Sequence, residues 1–329
     1  MSADGLERAS RVAVTGASGF VGGALIKLLS THSNFEPVAI YRTAPERLPL
    51  GCETVVCGEL ASDTDFTAAL KGADSVVHCA ARVHVMNERA ADPMAAFRLA
   101  NVAATHNLAR QAAKCGVRRF VFISSIKVNG ESTQPGQPYR ADDVPMPADA
   151  YGVSKMEAEE GLRNIAAETG MDVVIIRPVL VYGPGVKANF FNMIKLLNRG
   201  VVLPFGAINN KRSLVSLYNL VDLISVCLTH PAAANQTFLV SDGQDVSTTQ
   251  LLRKMAEALR CRARLLPVPS SLLVAAARLL NKKSLSQRLC GNLQVDIEKN
   301  RALLGWTPPM SIEQGFALTA EHFQGHTEK

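Results

Sequence analysis

The sequence predicts an α/β fold, with a doubly wound parallel sheet in the first half and a smaller C-terminal substrate lobe. Short apolar runs rich in β-branched residues recur along the first half, and Ala-rich stretches with helical periodicity separate them. Strands of this kind, alternating with helices, are typical of a parallel sheet that is covered on both faces. Six strands are predicted, at residues 11–14, 37–41, 54–57, 75–80, 119–124 and 172–178.

A glycine-rich turn follows the first strand directly and opens into a helical pattern. Residues 15–22 read Thr-Gly-Ala-Ser-Gly-Phe-Val-Gly. In a dinucleotide-phosphate site, Gly16 would allow the tight turn, Gly19 the approach of the backbone to the pyrophosphate, and Gly22 close packing of helix on strand. The helix N-terminus adds unpaired N–H groups and a partial positive charge. The pattern therefore predicts a Rossmann cofactor site, with a purely structural turn as the alternative.

A tyrosine and a lysine stand four residues apart at the start of a predicted helix over residues 151–169. Tyr151 and Lys155 would share one helix face, within about 6 Å of each other. An ammonium at that distance favours the phenolate, so we expect the pKa of Tyr151 to lie below its usual value of about 10. The phenol could then serve as an acid or base. Taken alone, such a pair more often marks a solvated helix face, and the glycine-rich turn favours catalysis.

Further landmarks continue these motifs along the chain. They are Gly58-Glu59-Leu60, His78-Cys79-Ala80-Ala81, residues 101–105, Ser124-Ser125, residues 177–185 and residues 304–308. With them, nearly the whole chain resembles the extended short-chain dehydrogenase/reductases, in the branch of NAD-dependent epimerases, dehydratases and nucleotide-sugar reductases. Residues 123–130 look most like bacterial 4-ketoreductases that act on UDP-4-keto-6-deoxy-N-acetylglucosamine and lead to UDP-N-acetylquinovosamine.

The resemblance implies a catalytic set of three residues. Tyr151 would exchange a proton with the reacting sugar oxygen, and Lys155 would bind the nicotinamide ribose. Ser125, rather than Ser124, would orient the same sugar oxygen. Sugar dehydratases of this kind carry Asp-Glu immediately after the catalytic hydroxyl residue, where this chain has Ile126 and Lys127. An isoleucine cannot move a proton, so dehydration is disfavoured.

The cofactor prediction depends on the residues after the second strand. NAD-preferring relatives carry an acidic residue there, whereas this chain has Tyr41-Arg42. A guanidinium can hold a 2′-phosphate by charge-assisted hydrogen bonds, so NADP(H) is favoured over NAD(H), unless Arg42 is only a surface arginine. The predicted cofactor-binding residues are Gly16, Ser18, Gly19, Phe20, Val21, Arg42, Glu59, Leu60, Cys79, Ala80, Ala81, Asn101, Tyr151, Lys155 and Pro178.

The predicted substrate is a UDP-sugar. By resemblance, Asn189 and Arg212 would bind the diphosphate, and Phe205 belongs to a loop that packs on the nucleotide base. A guanidinium suits this role because it binds phosphate oxygens in pairs, although Ser213 replaces the Asp usual beside it. The predicted substrate-binding residues are Val83, His84, Ser125, Lys127, Asn189, Phe205 and Arg212.

These assignments predict an NAD(P)H-dependent reductase of the 4-keto group of a UDP-4-keto-6-deoxy-hexosamine, serving surface polysaccharide. A UDP-sugar 4-epimerase with tightly bound NAD is the alternative. A nucleotide-sensing relative without activity and a steroid or flavonoid reductase are weaker ones. The cofactor domain is predicted at residues 1–180, with return segments near 213–245, and a mainly substrate-binding lobe at 181–329.

Composition excludes several other classes. The chain has 329 residues, 47% hydrophobic content, a net charge of +6 and seven cysteines. The cysteines are scattered without ligand spacing, which predicts a reduced, cytoplasmic protein with no metal. The basic residues form no block with interleaved aromatics, which argues against nucleic acid. We also predict no membrane span and, by resemblance, a homodimer formed through helices at 93–115 and 151–169.

One apolar stretch, residues 270–280, allows two interpretations. Lys282, Lys283 and Arg288 follow it, so it could dock on an anionic membrane. The favoured interpretation is a helix that covers the substrate lobe.

Overall fold

The structure, a computed structural model, describes residues 8–83, 92–280 and 283–327. The chain forms two compact units. The first comprises Met1–Val128, Pro145–Arg177 and Ile224–Phe238, and the second comprises Asn129–Val144, Pro178–Leu223 and Leu239–Lys329. The domain ranges predicted above remain a proposal.

Ten strands form two sheets. The strands are β1 (Ser10–Thr15), β2 (Phe35–Tyr41), β3 (Glu53–Val56), β4 (Ser75–His78), β5 (Arg119–Ile123), β6 (Asp172–Pro178), β7 (Leu180–Tyr182), β8 (Arg212–Ser216), β9 (Thr237–Val240) and β10 (Asp245–Val246). The larger sheet has the order β3-β2-β1-β4-β5-β6-β9, and β3 to β6 pair in parallel throughout. The predicted doubly wound parallel sheet is therefore confirmed, and its order reverses between β1 and β4, where such sheets bind ligands.

Twelve helices accompany the strands within the described residues. They are α1 (Phe20–Leu29), α2 (Thr67–Leu70), α3 (Pro93–Phe97), α4 (Ala104–Lys114), α5 (Ala150–Thr169), α6 (Ala188–Asn198), α7 (Leu217–Thr229), α8 (Thr248–Ala258), α9 (Ser270–Leu279), α10 (Lys283–Cys290), α11 (Glu298–Leu304) and α12 (Ile312–Thr327). The predicted continuous helix at 93–115 is interrupted by a π-helical turn, Arg98–Ala103. Such turns often accompany functional sites.

The ends of α5 follow directly from its sequence. The Asp149 side chain accepts a hydrogen bond of 2.7 Å from the Gly152 N–H and so caps the first turn. At the other end, Gly170 adopts φ +75°, a left-handed conformation that glycine takes without strain. These two signals set the start and the end of the helix that carries Tyr151 and Lys155.

Each unit has its own hydrophobic core. In the first unit, residues such as Val76, Phe120 and Leu162 pack between the sheet and its helices. In the second unit the centre is aromatic, because the ring of Tyr182 lies 5.6 Å from Phe190 and 4.8 Å from Phe316, centroid to centroid. Burial of these aromatic side chains is a large favourable contribution to folding.

Helix α9 differs from the prediction that it covers the substrate lobe. None of residues 270–280, all of which the structure describes, is buried. A covering helix would hide its leucines beneath neighbouring elements, whereas here the apolar face is open to solvent.

Candidate active site

The glycine-rich turn between β1 and α1 has the geometry of an anion site. Gly16 adopts φ +69°, and a Cβ there would lie 2.8 Å from the Ala80 backbone nitrogen. A Cβ on Gly22 would lie 2.2 Å from the Gly16 carbonyl oxygen. No side chain caps the N-terminus of α1, and Ser18 and Gly19 are exposed before it. The first turn of α1 therefore has no side-chain cap, and the backbone before it is open, which fits a dinucleotide pyrophosphate.

A series of buried side-chain hydrogen bonds lies beside this turn. The Thr15 hydroxyl lies 2.6 Å from His78 Nδ1, and His78 Nε2 lies 2.9 Å from the Thr105 hydroxyl. Burial and the charge of Lys155 lower the pKa of His78 to about 3. The imidazole is therefore neutral near pH 7, and its role here is to tie β1, β4 and α4 together.

Tyr151 hydrogen-bonds to Ser125, the serine chosen from the sequence. The neighbouring Ser124 is buried and instead donates a hydrogen bond of 2.6 Å to Glu159. Ser125 Oγ also accepts from the Lys127 N–H at 3.3 Å, which leaves its own proton available for a ligand oxygen or for Tyr151. The two adjacent serines thus have different partners, and only Ser125 faces the phenol.

Lys155 is buried one turn beyond Tyr151. Its ammonium lies 4.1 Å from the centre of the Phe122 ring, a favourable cation–π contact. Burial lowers the pKa of Lys155 to about 7, although the nearby Glu159 and Cys79 act in the opposite direction. Lys155 is thus partly neutral near pH 7.

The expected fall in the pKa of Tyr151 is not found. Burial, and then the charge of Asp149, raise that pKa to about 12, and only the hydrogen bond with Ser125 acts to lower it. The prediction was wrong because it counted the charge of Lys155 and neglected desolvation. Removing the phenol from water disfavours its charged form, and Lys155 itself titrates close to neutrality.

A buried ion pair stands behind Lys155. Glu159 accepts hydrogen bonds from Arg177 Nε at 2.8 Å and Nη2 at 2.6 Å, and both side chains are almost wholly inaccessible. The half-exposed Arg163 reaches the same carboxylate at 3.1 Å. Since Glu159 raises the pKa of Lys155, this cluster helps to maintain the lysine charge.

The residues predicted to select the cofactor form a loose pair. Arg42 and Glu59 approach to 4.0 Å, with side chains 70% and 85% exposed. They follow β2 and β3, which pair at Tyr41 and Val56. A carboxylate beside the guanidinium weakens its attraction for a 2′-phosphate, so the arginine alone does not indicate NADP.

Other predicted cofactor residues have varied surroundings. Cys79, Ala80 and Ala81 follow β4 and are partly exposed, and burial raises the pKa of Cys79 to about 12. Asn101 is buried in the π-helical turn, where its amide bonds both the backbone of Arg82 and the Ser154 hydroxyl. Among the other predicted positions, Phe20 and Val21 are partly exposed, and Leu60 packs against the hydrophobic core of the first unit. Pro178 is buried.

The predicted substrate residues of the first unit are only partly described. Val83 is exposed, and His84 lies outside the described residues. The Lys127 ammonium bonds the Asp149 carboxylate, the cap of α5, so its predicted contact with substrate competes with an existing ion pair.

In the second unit, Asn189 and Phe205 occupy different environments. Asn189 is exposed on the first turn of α6, and Ala188 before it adopts φ +56°. A left-handed alanine is strained, and such strain clusters at functional sites. Phe205 is partly buried against the core of this unit, and the Gly206 N–H bonds the Leu266 carbonyl at 2.8 Å.

A second arginine accompanies Arg212, and the sequence reasoning gave it no ligand role. Burial, and then the positive charge of Arg288 on α10, lower the pKa of Arg212. Arg212 Nη1 donates to the Gly291 carbonyl at 3.2 Å, while Ser213 beside it bonds Asp245 at 2.5 Å. Two neighbouring guanidiniums repel each other, and a diphosphate would relieve that repulsion. The sequence feature that could have indicated a ligand role for Arg288 is its position in a stretch of basic residues.

A cavity of about 510 Å³ also opens in the second unit, between α6 and α12. Its lining includes Lys187, Lys195, Arg199 and His322. It is lined by none of the predicted substrate residues in the described part of the chain, so we do not assign the sugar nucleotide to it.

Comparison with known proteins decides the family. The profile of the NAD dependent epimerase/dehydratase family matches residues 12–241. The chain belongs to this family. A UDP-glucose 4-epimerase from Vibrio cholerae is 49% identical, over 95% of both chains. The N-acetyl-alpha-D-glucosaminyl-diphospho-ditrans,octacis-undecaprenol 4-epimerase of Escherichia coli O157:H7 is 27% identical, over 97% of this chain and 96% of that one.

Solved structures share the fold. A UDP-glucuronic acid 4-epimerase from Bacillus cereus in complex with NAD superposes with a TM-score of 0.76 at 19% identity, covering 96% of this chain and 99% of that one. In the described part of our chain, no helix is long and apolar enough to cross a membrane. Nor do three His, Cys, Asp or Glu side chains meet as a metal ion would require, among the residues described.

These findings correct the predicted reaction. The prediction of a 4-ketoreductase serving surface polysaccharide is wrong, because the 49%-identical relative is a UDP-glucose 4-epimerase. The preference for NADP is not supported either. The reductase prediction depended chiefly on the likeness of residues 123–130, and the NADP prediction depended on Arg42, which lies beside Glu59.

Proposed function

We propose that this protein is a UDP-sugar 4-epimerase that interconverts UDP-glucose and UDP-galactose with tightly bound NAD. One observation carries the proposal. The hydrogen bond between Tyr151 and Ser125, with Lys155 buried one turn on, occurs in a chain 49% identical to a UDP-glucose 4-epimerase. The predicted homodimer and cytoplasmic location remain parts of the proposal.

Inversion of a carbon that bears a hydroxyl requires the loss and return of one hydride and one proton. Tyr151 would take the proton from the C4 hydroxyl and give it back, and Ser125 would hold the same oxygen in place. NAD, when bound, would supply the acceptor for the hydride from C4, and the same hydride returns to C4. Lys155 would bind the cofactor ribose, one turn along α5 from the phenol.

The residues of the first unit fit NAD. The open glycine turn at Gly16 and Gly19 matches a pyrophosphate. Glu59 can accept hydrogen bonds from an adenosine ribose, and its charge opposes a 2′-phosphate beside Arg42. In the second unit, Arg212 and Arg288 would bind the two phosphates of the sugar nucleotide.

The experiment is to incubate the purified protein with UDP-glucose and no added cofactor, and to quantify UDP-galactose by NMR. We expect conversion, and a loss of about 10²–10⁴-fold in kcat for Tyr151→Phe. Tyr218→Phe is the matched control, since Tyr218 is exposed on α7 and its change should leave kcat unaltered. Failure of NAD-loaded protein to convert UDP-glucose into UDP-galactose would refute the proposal.

A second candidate substrate is a sugar on a polyprenyl diphosphate, as in the name of the Escherichia coli relative. The exposed apolar face of α9 favours it, because α9 leads into α10, which carries Arg288. The test is to offer N-acetylglucosamine on a polyprenyl diphosphate as a second substrate in the same assay. A higher kcat/KM for that substrate than for UDP-glucose would favour this candidate.

A further inference from the structure

The exposed face of α9 is apolar and continuous. Leu272, Ala275, Ala276 and Leu279 are all exposed, and their spacing places them on one side of the helix. Leu272 is 61% exposed, Leu279 is 87% exposed, and the adjoining Leu280 is 68% exposed. Folding normally hides a stripe of this kind, so its exposure indicates an interaction surface.

The segment around this face carries only positive charge. Residues 258–295, which we call the basic segment, contain no Asp or Glu. Arg278 on α9 and Arg288 on α10 are exposed. The Lys and Arg residues of the basic segment are Arg260, Arg262, Arg264, Arg278, Lys282, Lys283 and Arg288. An apolar helix face within a one-signed basic segment matches an anionic, partly apolar partner.

The composition of the basic segment distinguishes between partners. A second copy of this chain, paired through the same patch, would bring two positive segments together, and like charges across an interface are costly. Single-stranded nucleic acid is held by base stacking on aromatic side chains, and the basic segment contains no Phe, Trp or Tyr. A lipid surface with anionic headgroups satisfies both the leucines and the charges.

We propose that α9 docks this protein on an anionic lipid surface. The leucine face lies in the boundary between headgroups and acyl chains, and Arg278 in the last turn of the same helix contacts the headgroups. The attachment is peripheral, because a helix of 10 residues is about 15 Å long and a bilayer core is about 30 Å thick. The proposal does not depend on the epimerase activity.

The test is sedimentation of the full chain with vesicles of phosphatidylcholine alone or mixed with phosphatidylglycerol. We expect binding to the mixed vesicles, weakened by salt. Leu272→Glu with Leu279→Glu should lower the partition coefficient about tenfold or more, and Arg278→Gln, which removes one positive charge, about fivefold. The matched control is Leu48→Glu with Leu50→Glu, because these leucines are 67% and 93% exposed in the first unit, and it should bind like the parent protein.

Three results of the vesicle assay would overturn the proposal. They are no sedimentation with the mixed vesicles, equal binding to vesicles of phosphatidylcholine alone, and unchanged binding by both α9 variants. A lipid-free dimer that the Leu272→Glu, Leu279→Glu change dissociates would also overturn it, in favour of a subunit interface. The vesicle assay contains no sugar nucleotide, so its result is separate from that of the epimerase assay. A thermal melt of each variant verifies folding.

Discussion

At the catalytic position, the surroundings of one phenol set its acidity. Burial and Asp149 raise the pKa of Tyr151 to about 12, above the usual value near 10, while Lys155 has a pKa of about 7. A positively charged nicotinamide ring close to Tyr151 would favour the phenolate, as an adjacent opposite charge does by about 1–3 pKa units.

We therefore predict that the pKa of Tyr151 is above 10 in cofactor-free protein and falls on addition of NAD. Proton acceptance requires the phenolate, whose fraction decreases about tenfold per pH unit below the pKa, so kcat/KM should fall as the pH falls. Tyrosinate absorbance across a pH titration measures the pKa, with Tyr151→Phe as the blank. A value below 10 without cofactor would contradict our account of burial.

At the scale of an element, α5 carries three successive functional positions on one face. Tyr151, Lys155 and Glu159 are each four residues apart, so one helix orients the acid/base group, its charged neighbour and the carboxylate behind it. The position of this helix depends on the Asp149 cap and on the ion pair that joins Glu159 to Arg177 of β6.

We predict that Glu159→Gln lowers the free energy of unfolding by about 3–5 kcal/mol, because it leaves the Arg177 charge buried without a carboxylate. It should also lower kcat, since Glu159 raises the pKa of Lys155. Arg163→Gln is the matched control, and removal of this half-exposed partner should change stability by less than about 1 kcal/mol. Urea unfolding measures both. Equal effects would show that the buried pair has no special role.

At the scale of the whole molecule, the two units carry different chemistry. The first contains the glycine turn, Ser125, Tyr151 and Lys155, and the second contains the arginine pair. If the second unit binds the sugar nucleotide, changes there should affect substrate affinity without affecting cofactor content.

We predict that Arg212→Ala and Arg288→Ala each raise the KM for UDP-glucose by about tenfold or more, with kcat nearly unchanged. A hydrogen bond to a charged group contributes about 1.5–3 kcal/mol, and uniform binding is expressed in KM. Arg301→Ala, at an exposed site in the same unit, should leave KM unchanged. NAD released on denaturation should be equal in all variants. A loss of NAD from the arginine variants would contradict the assignment.

The sequence by itself determined the local motifs and the fold class. The strand, the glycine turn and the helix at residues 11–29 depend on near neighbours, and so does the α5 face with Tyr151 and Lys155. Parallel pairing also follows, since apolar strands that alternate with helices have few other arrangements. These features involve short separations along the chain.

Only the tertiary structure decided properties that depend on distant residues. The pKa of Tyr151 is set by burial, and Glu59 lies beside Arg42 because β2 and β3 pair. Arg288 meets Arg212 across 76 positions of the chain, and the leucine face of α9 is exposed although α10 packs on another side of that helix. Desolvation, long-range pairing and exposure depend on all the residues that folding brings close to a side chain. A local sequence motif does not contain those residues.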